Sequence, residues 1–318
     1  MAGRGVGEAV HSGRSRDGIL LVDKCAGETS FDVVRKVRRV SGIRKVGHAG
    51  TLDPFSTGLL VVMLGRGTKL APFLMGERKR YLATIRLGIE TDTYDPEGRV
   101  VHEGPVPDMT PVFIQEALRE FVGEIEQAPP AYSAVHVEGV RAYKLARKGV
   151  EVRLKRRKIT VHDIRLLSSD LPDLKVDVLC SSGTYLRSLA YDLGKRLETG
   201  AYLIELRRVE SGPYRVKDAV DSSLLQGAEG RNRLEEKRLS LEEALPDVRK
   251  IFIGAPLAGK IRNGYQPSRT DMGFVRENMD IAGGTVQLLC DGELIAIAET
   301  NPNPSGVDRN TKILRVFN

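Results

Sequence analysis

Asp53 is the residue whose surroundings are most suited to chemistry, because it stands in the glycine-rich segment formed by residues 47–54. Pro54 restricts Asp53 to extended conformations and so fixes the direction of its carboxylate. A carboxylate held in this way can cap a turn, bind a metal ion, transfer a proton or attack as a nucleophile. Turn capping is the most common outcome, and the loop alone leaves all four open. Three nearby glycines let the backbone approach a ligand or adopt a positive φ angle: Gly47, Gly50 and Gly58.

Arg187 is a second candidate, since it stands in the first turn of a predicted helix. The apolar stripe of that helix lies on a different side. A cation at the start of a helix opposes the helix dipole by ~0.3–1 kcal/mol. This cost favours a role for Arg187 with an external anionic partner over a purely structural one. The stripe comprises Leu186, Leu189, Ala190, Leu193 and Leu197.

The composition indicates a globular chain whose net positive charge would attract a polyanion. Of the 318 residues 41% are hydrophobic and 29% charged, with a net charge of +7. No apolar run reaches the length that spans a bilayer. Residues 1–17 lack the apolar stretch of a secretory signal and predict a flexible basic tail, so the cytoplasm is the expected compartment.

Three cysteines without paired spacing suggest neither disulfides nor a zinc site: Cys25, Cys180 and Cys290.

Basic residues are concentrated between Arg141 and Lys158, where nine Lys or Arg residues accompany a single acid, Glu151. Such a density repels itself unless an anion lies across it. A phosphate-binding surface and an ordinary solvated face are both consistent with this pattern.

Hydrophobic periodicity predicts strands and helices in mixed order over the first two thirds of the chain. A buried strand at 18–22 leads to a helix that Thr29 or Ser30 can cap and that ends at Gly42. Thr110 and Pro111 begin a further helix. Strands are expected at 59–64, 80–87 and 176–180, with a turn at 92–98.

The last ~70 residues predict a small β domain of ordinary size. Residues 228–238 are polar and charged and suggest a boundary region, after which Ser240 and Glu243 form a capping box that predicts a short helix. The dipeptide Asp291-Gly292 is a strong hairpin signal, and residues 312–317 suit a closing strand.

Residues 47–58 resemble the signature of the TruB family of tRNA pseudouridine synthases, which reads Gly-His-x-Gly-Thr-Leu-Asp-Pro and then a small residue, Thr and Gly. Ser56 occupies the small position. Nine of twelve positions match, so the likeness is highly specific: Gly47, His48, Gly50, Thr51, Leu52, Asp53, Pro54, Thr57 and Gly58.

The resemblance continues in order along the chain, from about residue 18 to residue 214. Cys25 stands where the family usually has proline, and His136 replaces a usual lysine. A looser likeness to a PUA-type RNA-binding domain follows Ile251. The similar segments are Asp23-Lys24, Lys79-Arg80-Tyr81, 91–95, 127–149, 180–187, and Leu206-Arg207-Arg208 with Ser211-Gly212.

The resemblance implies that the enzyme isomerises the T-loop uridine at position 55 of tRNA to pseudouridine. Asp53 is then the nucleophile or stabilising carboxylate, and Arg187 pairs with it. Tyr81 stacks on the flipped base and serves in proton transfer, although a strand tyrosine outside this context would be a packing residue. Substrate binding falls to Tyr81 and to further residues: His48 beside the target, Tyr185 and Leu206 in the base pocket, and Lys24 and Asp95 in a hydrogen-bond network.

The implied fold is of the α+β class. A mixed, mostly antiparallel sheet flanked by helices forms the catalytic domain (18–250), after a tail (1–17) and before a small PUA-like β domain (251–318). The expected partner is the T-arm of tRNA, with no cofactor, no metal, no membrane and no obligate protein partner. We expect a monomer.

Two other functions are consistent with the residues themselves. A metal-dependent nuclease could use clustered ligands and an activated water. A non-catalytic RNA-binding or RNA-folding protein would not need Asp53 at all. The candidate ligands of the nuclease are His48, Asp53, Asp92 and Asp95.

Overall fold

A ten-stranded mixed sheet forms the centre of the fold. The computed structural model describes residues 16–133, 135–137, 139–142, 145, 154–268, 271, 284–300 and 311–318. The strands are β1 (Gly18–Lys24), β2 (Val46–His48), β3 (Thr57–Leu64), β4 (Lys79–Leu87), β5 (Ile89–Thr91), β6 (Val100–Glu103), β7 (Gly123–Gln127), β8 (His136–Val137), β9 (Val140–Arg141), β10 (Arg157–Asp170), β11 (Asp173–Cys180), β12 (Ala201–Ser211), β13 (Tyr214–Arg215), β14 (Val220–Asp221), β15 (Arg249–Phe252), β16 (Gly284–Cys290), β17 (Glu293–Thr300) and β18 (Thr311–Val316).

The main sheet has the order β14-β1-β3-β12-β4-β11-β10-β7, with β2 added to β3 and β13 to β12. Among the described pairings of this sheet, β1–β14 and β3–β12 are parallel and the others antiparallel. The described helices are α1 (Ser30–Ser41), α2 (Ala71–Met75), α3 (Pro111–Arg119), α4 (Leu186–Arg196), α5 (Gly227–Lys237) and α6 (Ala255–Arg262). The predicted α+β class, with a mostly antiparallel sheet and a small C-terminal β domain, is confirmed.

Helix α1 forms as its sequence predicts. Thr29 caps it in a capping box with Asp32, and Gly42 closes it in the left-handed conformation. The four valines of its apolar stripe are buried against β1 and β3. One end of the helix is thereby fixed beside the segment that carries Asp53, because Ser30 Oγ donates to the Leu52 carbonyl and accepts from the Leu52 amide.

The helix predicted after Ser240 does not form. The polar residues before it belong to helix α5, which buries Leu234 in the same cluster as the α1 valines. The Ser240–Glu243 capping box forms both of its hydrogen bonds, but only a turn follows and no helix. Pro246 explains this, since the residue before a proline disfavours helical geometry and Leu245 stands at that position.

A four-stranded sheet in the order β15-β16-β17-β18 forms the C-terminal part. Asp291 and Gly292 both have positive φ angles, so the predicted hairpin is confirmed. This sheet packs on the main one through a shared apolar cluster that includes Leu21, Leu289 and Phe317. Among the described residues, no helix is long and apolar enough to cross a membrane.

The parallel contact between β3 and β12 brings distant parts of the sequence to one point. It consists of Thr57 opposite Arg207 and Gly58 opposite Arg208. On its other side, Arg208 lies opposite Tyr81 of β4. A Cβ atom on Gly58 would lie 2.3 Å from the Arg208 carbonyl oxygen, so only glycine permits this approach.

We therefore expect Gly58→Ala to lower the free energy of unfolding by at least ~2 kcal/mol, because the new methyl group clashes with β12 backbone and the φ angle is positive. Urea denaturation measures the change. Gly259→Ala is the matched control: nothing lies near its added Cβ in helix α6, so a gain of ~0.5–1 kcal/mol is expected. Equal effects of the two substitutions would contradict the clash.

Candidate active site

A cavity of about 1030 Å³ opens where the Asp53 segment meets β4, β12 and the start of α4. Seven of the eight predicted site residues line it, although they come from five separate parts of the chain. Lys24 is the exception and lies behind the wall. The seven are His48, Asp53, Tyr81, Asp95, Tyr185, Arg187 and Leu206.

The Arg187 guanidinium joins two carboxylates at the base of this cavity. Its Nη2 donates to Oδ1 of Asp53 at 3.1 Å, and its Nε lies 3.0 Å from Oδ2 of the same group. Its Nη1 donates to Oδ2 of Asp95 at 2.9 Å. The Arg187 side chain is only 5% exposed. The anionic partners of Arg187 thus belong to its own chain, not to an external molecule as its position in the helix had suggested.

Asp95 is anchored on every side. Thr93 Oγ1 donates to its Oδ1 at 2.5 Å, and the Glu97 amide donates to the same oxygen at 3.0 Å. Arg187 also donates to the carbonyl oxygens of Thr93 and Tyr132, at 3.2 and 3.0 Å. The turn that carries Asp95 and the first turn of α4 are therefore held in one orientation.

Tyr94 adopts a left-handed conformation, with φ of 62°, beside Asp95. Such a conformation is unfavourable for tyrosine, so other contacts must hold it. Its ring stacks on Tyr191 with 4.2 Å between centroids, and the Leu203 amide donates to its carbonyl. Tyr191 stands four residues after Arg187 on α4 and hence on the same face of that helix. Helix α4 thus holds the turn at two points.

Asp53 combines burial with contact to the cavity. Burial raises the pKa of its carboxyl group, while the positive charges of Arg187 and Lys24 oppose this rise. Its side chain is 32% exposed, against 4% for Asp95. One carboxylate of the pair therefore faces the space that a ligand would occupy.

Lys24 supports the Asp53 segment from behind. Its ammonium group is inaccessible to solvent and donates to the carbonyl oxygens of Cys25, Glu28 and Pro54, at 2.9, 2.7 and 3.2 Å. Burial lowers the pKa of Lys24 to about 8. The carbonyl of Pro54 also accepts from the Gly27 amide, so the β1–α1 connection and the Asp53 segment are joined twice.

Arg208 is a site residue that sequence reasoning missed. Its Nε donates to the Leu59 carbonyl at 2.6 Å and its Nη2 to the Gly50 carbonyl at 3.0 Å, so it braces the Asp53 segment from β12. It also lines the cavity. Strand alternation could have revealed it, since Leu206 was expected in the pocket and side chains two apart share a face.

The positive charge of Arg208 affects the pKa values of both Tyr81 and His48. Burial raises the pKa of the Tyr81 hydroxyl, an effect that Arg208 opposes. Burial together with the charge of Arg208 lowers the pKa of His48, which keeps the imidazole neutral at neutral pH. Tyr81 is therefore a protonated phenol and His48 an uncharged ring at the cavity wall.

Tyr185 and Leu206 complete the apolar part of the wall. The Gln127 side chain holds the backbone of Tyr185 by accepting from its amide at 2.8 Å and donating to its carbonyl at 3.1 Å. Leu206 stands on β12 next to the Tyr81 strand. An aromatic ring and a leucine side chain can pack on the faces of a planar base.

The four proposed nuclease ligands do not form a metal-binding group among the described residues. Asp92 accepts from the Arg99 amide and guanidinium, and Arg187 fills the space between Asp53 and Asp95. Among the described residues, no group of three His, Cys, Asp or Glu side chains could hold a metal ion. Residues 143–144 and 146–153 of the predicted basic stretch, and the side chain of His136, lie outside the described residues.

Two family comparisons cover most of the chain. Residues 38–186 match the TruB family pseudouridylate synthase N-terminal domain. Residues 187–251 match the tRNA pseudouridylate synthase B C-terminal domain. The chain belongs to the TruB family. This TruB-family protein is thus an isomerase of the pseudouridine synthase class, as the sequence motifs had predicted.

Individual relatives agree with this assignment. The TruB-family protein is 40% identical over 303 residues to the tRNA pseudouridine synthase B of Geobacter sulfurreducens, covering 95% of this chain and 100% of the relative. It is 42% identical over 251 residues to the enzyme of the same name from Clostridium perfringens, with 79% and 84% coverage.

Two solved structures contain a chain with a similar fold. A crystal structure of a Cbf5-Nop10-Gar1 complex has a chain that is 25% identical and aligns with a TM-score of 0.69, covering 95% of the TruB-family protein and 85% of that chain. An archaeal box H/ACA sRNP Nop10-Cbf5 complex gives 26% identity and a TM-score of 0.68, with 95% and 86% coverage.

The stacked, left-handed Tyr94 generates a stability prediction. Tyr94→Gly and Tyr94→Ala both lose the stack, but only glycine relieves the backbone strain, so the glycine variant is expected to be more stable by ~1 kcal/mol. At Tyr191, within helix α4, the order reverses and alanine is favoured by ~1 kcal/mol. Urea denaturation of the four variants measures both differences. The same order at both positions would refute the claim of strain.

Proposed function

We propose that this protein is a tRNA pseudouridine synthase that converts the T-loop uridine at position 55, with Asp53 as its catalytic carboxylate. One observation carries the proposal: the carboxylate of Asp53 faces a large cavity while a buried guanidinium, itself anchored by Asp95, fixes its orientation. The cavity is at the upper end of the ~300–1,000 Å³ range of small-molecule pockets, so an extruded nucleotide can enter it.

The reaction needs an oriented carboxylate and no net electron transfer. The bond between uracil N1 and ribose C1′ breaks, the base turns, and C1′ joins C5. The C5 proton is lost to solvent and N1 takes up a proton, so product and substrate are isomers. In this scheme Asp53 acts as the nucleophile or as the stabilising carboxylate, and the reaction itself requires no cofactor and no metal.

Arg187 keeps Asp53 ready for this step. Burial alone would favour the neutral acid, whereas the nearby guanidinium favours the carboxylate. The planar fork of arginine also restricts how the carboxylate can turn. Asp95 is proposed to act through Arg187, and Lys24 through the backbone of Pro54, since neither reaches the exposed part of the cavity.

The remaining wall residues are proposed to hold the extruded base. Removing a uridine from its stack costs a few kcal/mol, which new contacts must offset. Tyr81 would stack on the uracil and assist proton transfer as a protonated phenol. Tyr185 and Leu206 would pack on the ring, and His48 would contact the RNA beside the target.

The domain roles follow from the same proposal. Residues 18–250 would act on the T-arm, and residues 251–318, with the second sheet, would serve as a PUA-like RNA-binding domain that grips the acceptor-stem side. Residues 1–17 would form a basic tail, of which 1–15 lie outside the described residues. A chain that recognises tRNA in this way would work as a monomer in the cytoplasm, without an obligate protein partner.

Tritium release tests the catalytic assignment. The wild-type protein should release tritium from C5-labelled uridine in a T-loop transcript without added metal. Asp53→Asn should abolish release, because the amide keeps the shape of the side chain but lacks the charge. The Kd of the variant for RNA, measured by filter retention, should stay within about threefold of wild type. This is less than the ~1.4 kcal/mol that a tenfold change in Kd represents.

Two controls make this result specific. A transcript with cytidine in place of the T-loop uridine, labelled at C5 of that cytidine, should release nothing. Asp173→Asn removes a carboxylate that pairs with Arg86 far from the cavity and should leave release unchanged. Undiminished release by Asp53→Asn would end the catalytic proposal, and strand cleavage as the product would favour a nuclease.

The pH dependence of the single-turnover rate is a separate prediction. Burial raises the pKa of Asp53 above its usual 3.8, so the carboxylate takes up its proton earlier as the pH falls. As the pH falls, the rate of the wild-type protein should therefore decline with an apparent pKa above 3.8. The control Asp173→Asn should show the same decline, because that carboxylate lies outside the cavity. A rate that is still undiminished at pH 4 would contradict an essential, buried Asp53.

A further inference from the structure

Phe31 is an exposed aromatic residue at the mouth of the cavity. Its side chain is 54% exposed, and it lines the opening together with Thr29 and Ser30. Single exposed apolar residues are common on protein surfaces and carry little information alone. Here, however, Ser30 fixes the start of α1 to Leu52, so the ring is held at a defined position beside the Asp53 segment.

Cations surround this ring. The guanidinium carbons of Arg35 and Arg38 each lie 5.7 Å from the Phe31 ring centroid. The chain between Asp32 and Asp53 contains six Lys or Arg residues and no acid. Arg35 pairs with Asp32, but among the residues that the structure describes no carboxylate forms an ion pair with three exposed cations of this stretch: Arg39, Arg44 and Lys45.

The cations lie on α1 and on the segment that leads into β2, two elements that each reach the cavity at one end. Helix α1 leaves the cavity at Ser30, and β2 returns to it at His48. Arg38 Nη2 donates to the Val46 carbonyl at 3.0 Å and so joins the two elements away from the opening. We call this surface the α1–β2 patch and define it by Phe31, Arg35, Arg38, Arg39, Arg44 and Lys45.

We propose that the α1–β2 patch binds the RNA strand next to the target uridine, with Phe31 stacking on a base adjacent to the target. This inference rests on the proposed function, because it takes the cavity to hold the extruded uridine. Extrusion deprives the neighbouring base of a stacking partner, and an aromatic ring at the opening supplies a new one. A stack of this kind contributes ~1–3 kcal/mol per base, or about 5- to 150-fold in affinity.

The length of α1 between Phe31 and Arg39 suits a short stretch of a nucleic acid strand. At 1.5 Å of rise per residue, Arg39 lies about 12 Å along α1 from Phe31. A strand in a duplex carries one phosphate per ~3.4 Å of axis, so this distance spans about three to four nucleotides. An anionic membrane is a poorer fit, because the apolar stripe of α1 is buried in the protein core and offers nothing to insert.

Binding of a T-arm hairpin RNA tests the stacking role. All proteins carry Asp53→Asn so that no reaction follows binding. Phe31→Ala is expected to raise Kd at least 5-fold, and Phe31→Trp to stay within twofold of the parent. Phe113→Ala is the control, because Phe113 is 45% exposed on α3 and does not line the cavity. Equal Kd values for Phe31→Ala and Phe113→Ala would overturn the role of Phe31.

An altered RNA separates a direct stack from an indirect effect. Two hairpins carry an abasic nucleotide on the 5′ or the 3′ side of the target. With the parent protein, one of them should bind at least 5-fold more weakly. Phe31→Ala should then bind that hairpin and the complete RNA with equal affinity, because the stacking pair is already lost. If both abasic hairpins still weaken binding to Phe31→Ala as much as to the parent, the stack does not exist.

The salt dependence of Kd tests the charged part of the patch. Arg39→Gln combined with Lys45→Gln should reduce the slope of log Kd against log salt concentration by about 1 to 2, as the loss of one or two phosphate contacts requires. Lys175→Gln with Lys217→Gln removes the same charge from elsewhere on the surface and should leave the slope unchanged. An unaltered slope in the first pair would show that the patch is only solvated.

These outcomes are independent of the catalytic proposal. Retained tritium release by Asp53→Asn alone would refute the role of Asp53, while the binding measurements would still decide the role of the α1–β2 patch. Conversely, suppose that Asp53→Asn abolishes tritium release while Phe31→Ala and the Arg39–Lys45 double variant leave RNA binding unchanged. That combination would sustain the catalytic proposal and refute the inference about the α1–β2 patch.

Discussion

The buried guanidinium of Arg187 is the contact on which the rest of the site depends. Taking a charge out of water costs several kcal/mol unless it is paired and hydrogen-bonded. Arg187 stands at the start of a helix, where the dipole adds to that cost. Asp53 and Asp95 provide the compensation, so the Asp53 segment, the Asp95 turn and helix α4 must meet for any of the three charges to be buried.

Side chains from outside the Asp53 segment supply most of its rigidity. Lys24 from β1, Ser30 from α1 and Arg208 from β12 each bond to its backbone. Residues 50–54 of this segment lie beyond β2 and belong to no strand, so their backbone groups need such partners. The loop is consequently held by the sheet and by α1 together, and the orientation of its carboxylate is set before any ligand arrives.

Local patterns predicted several of the elements, but not the long-range contacts. Thr29 and Gly42 bound α1 because capping is a property of neighbouring residues, and the Asp291-Gly292 turn follows for the same reason. The pairing of Arg187 with Asp53 was implied only by the family motifs. Nothing local indicates that Tyr191 stacks on Tyr94, since that contact depends on how α4 packs against the turn. The missing helix after Ser240 shows the opposite failure, in which a correct cap was outweighed by Pro246.

The two carboxylates on Arg187 differ in a way that decides which of them can meet a ligand. Asp95 accepts from Thr93, from the Glu97 amide and from Arg187, and is almost fully buried. Among the described residues, the hydrogen bonds found for the Asp53 side chain come from Arg187 alone. A carboxylate whose lone pairs are occupied can only orient its neighbour, whereas one with lone pairs facing a cavity can react. The same guanidinium therefore holds one carboxylate as support and presents the other to the cavity.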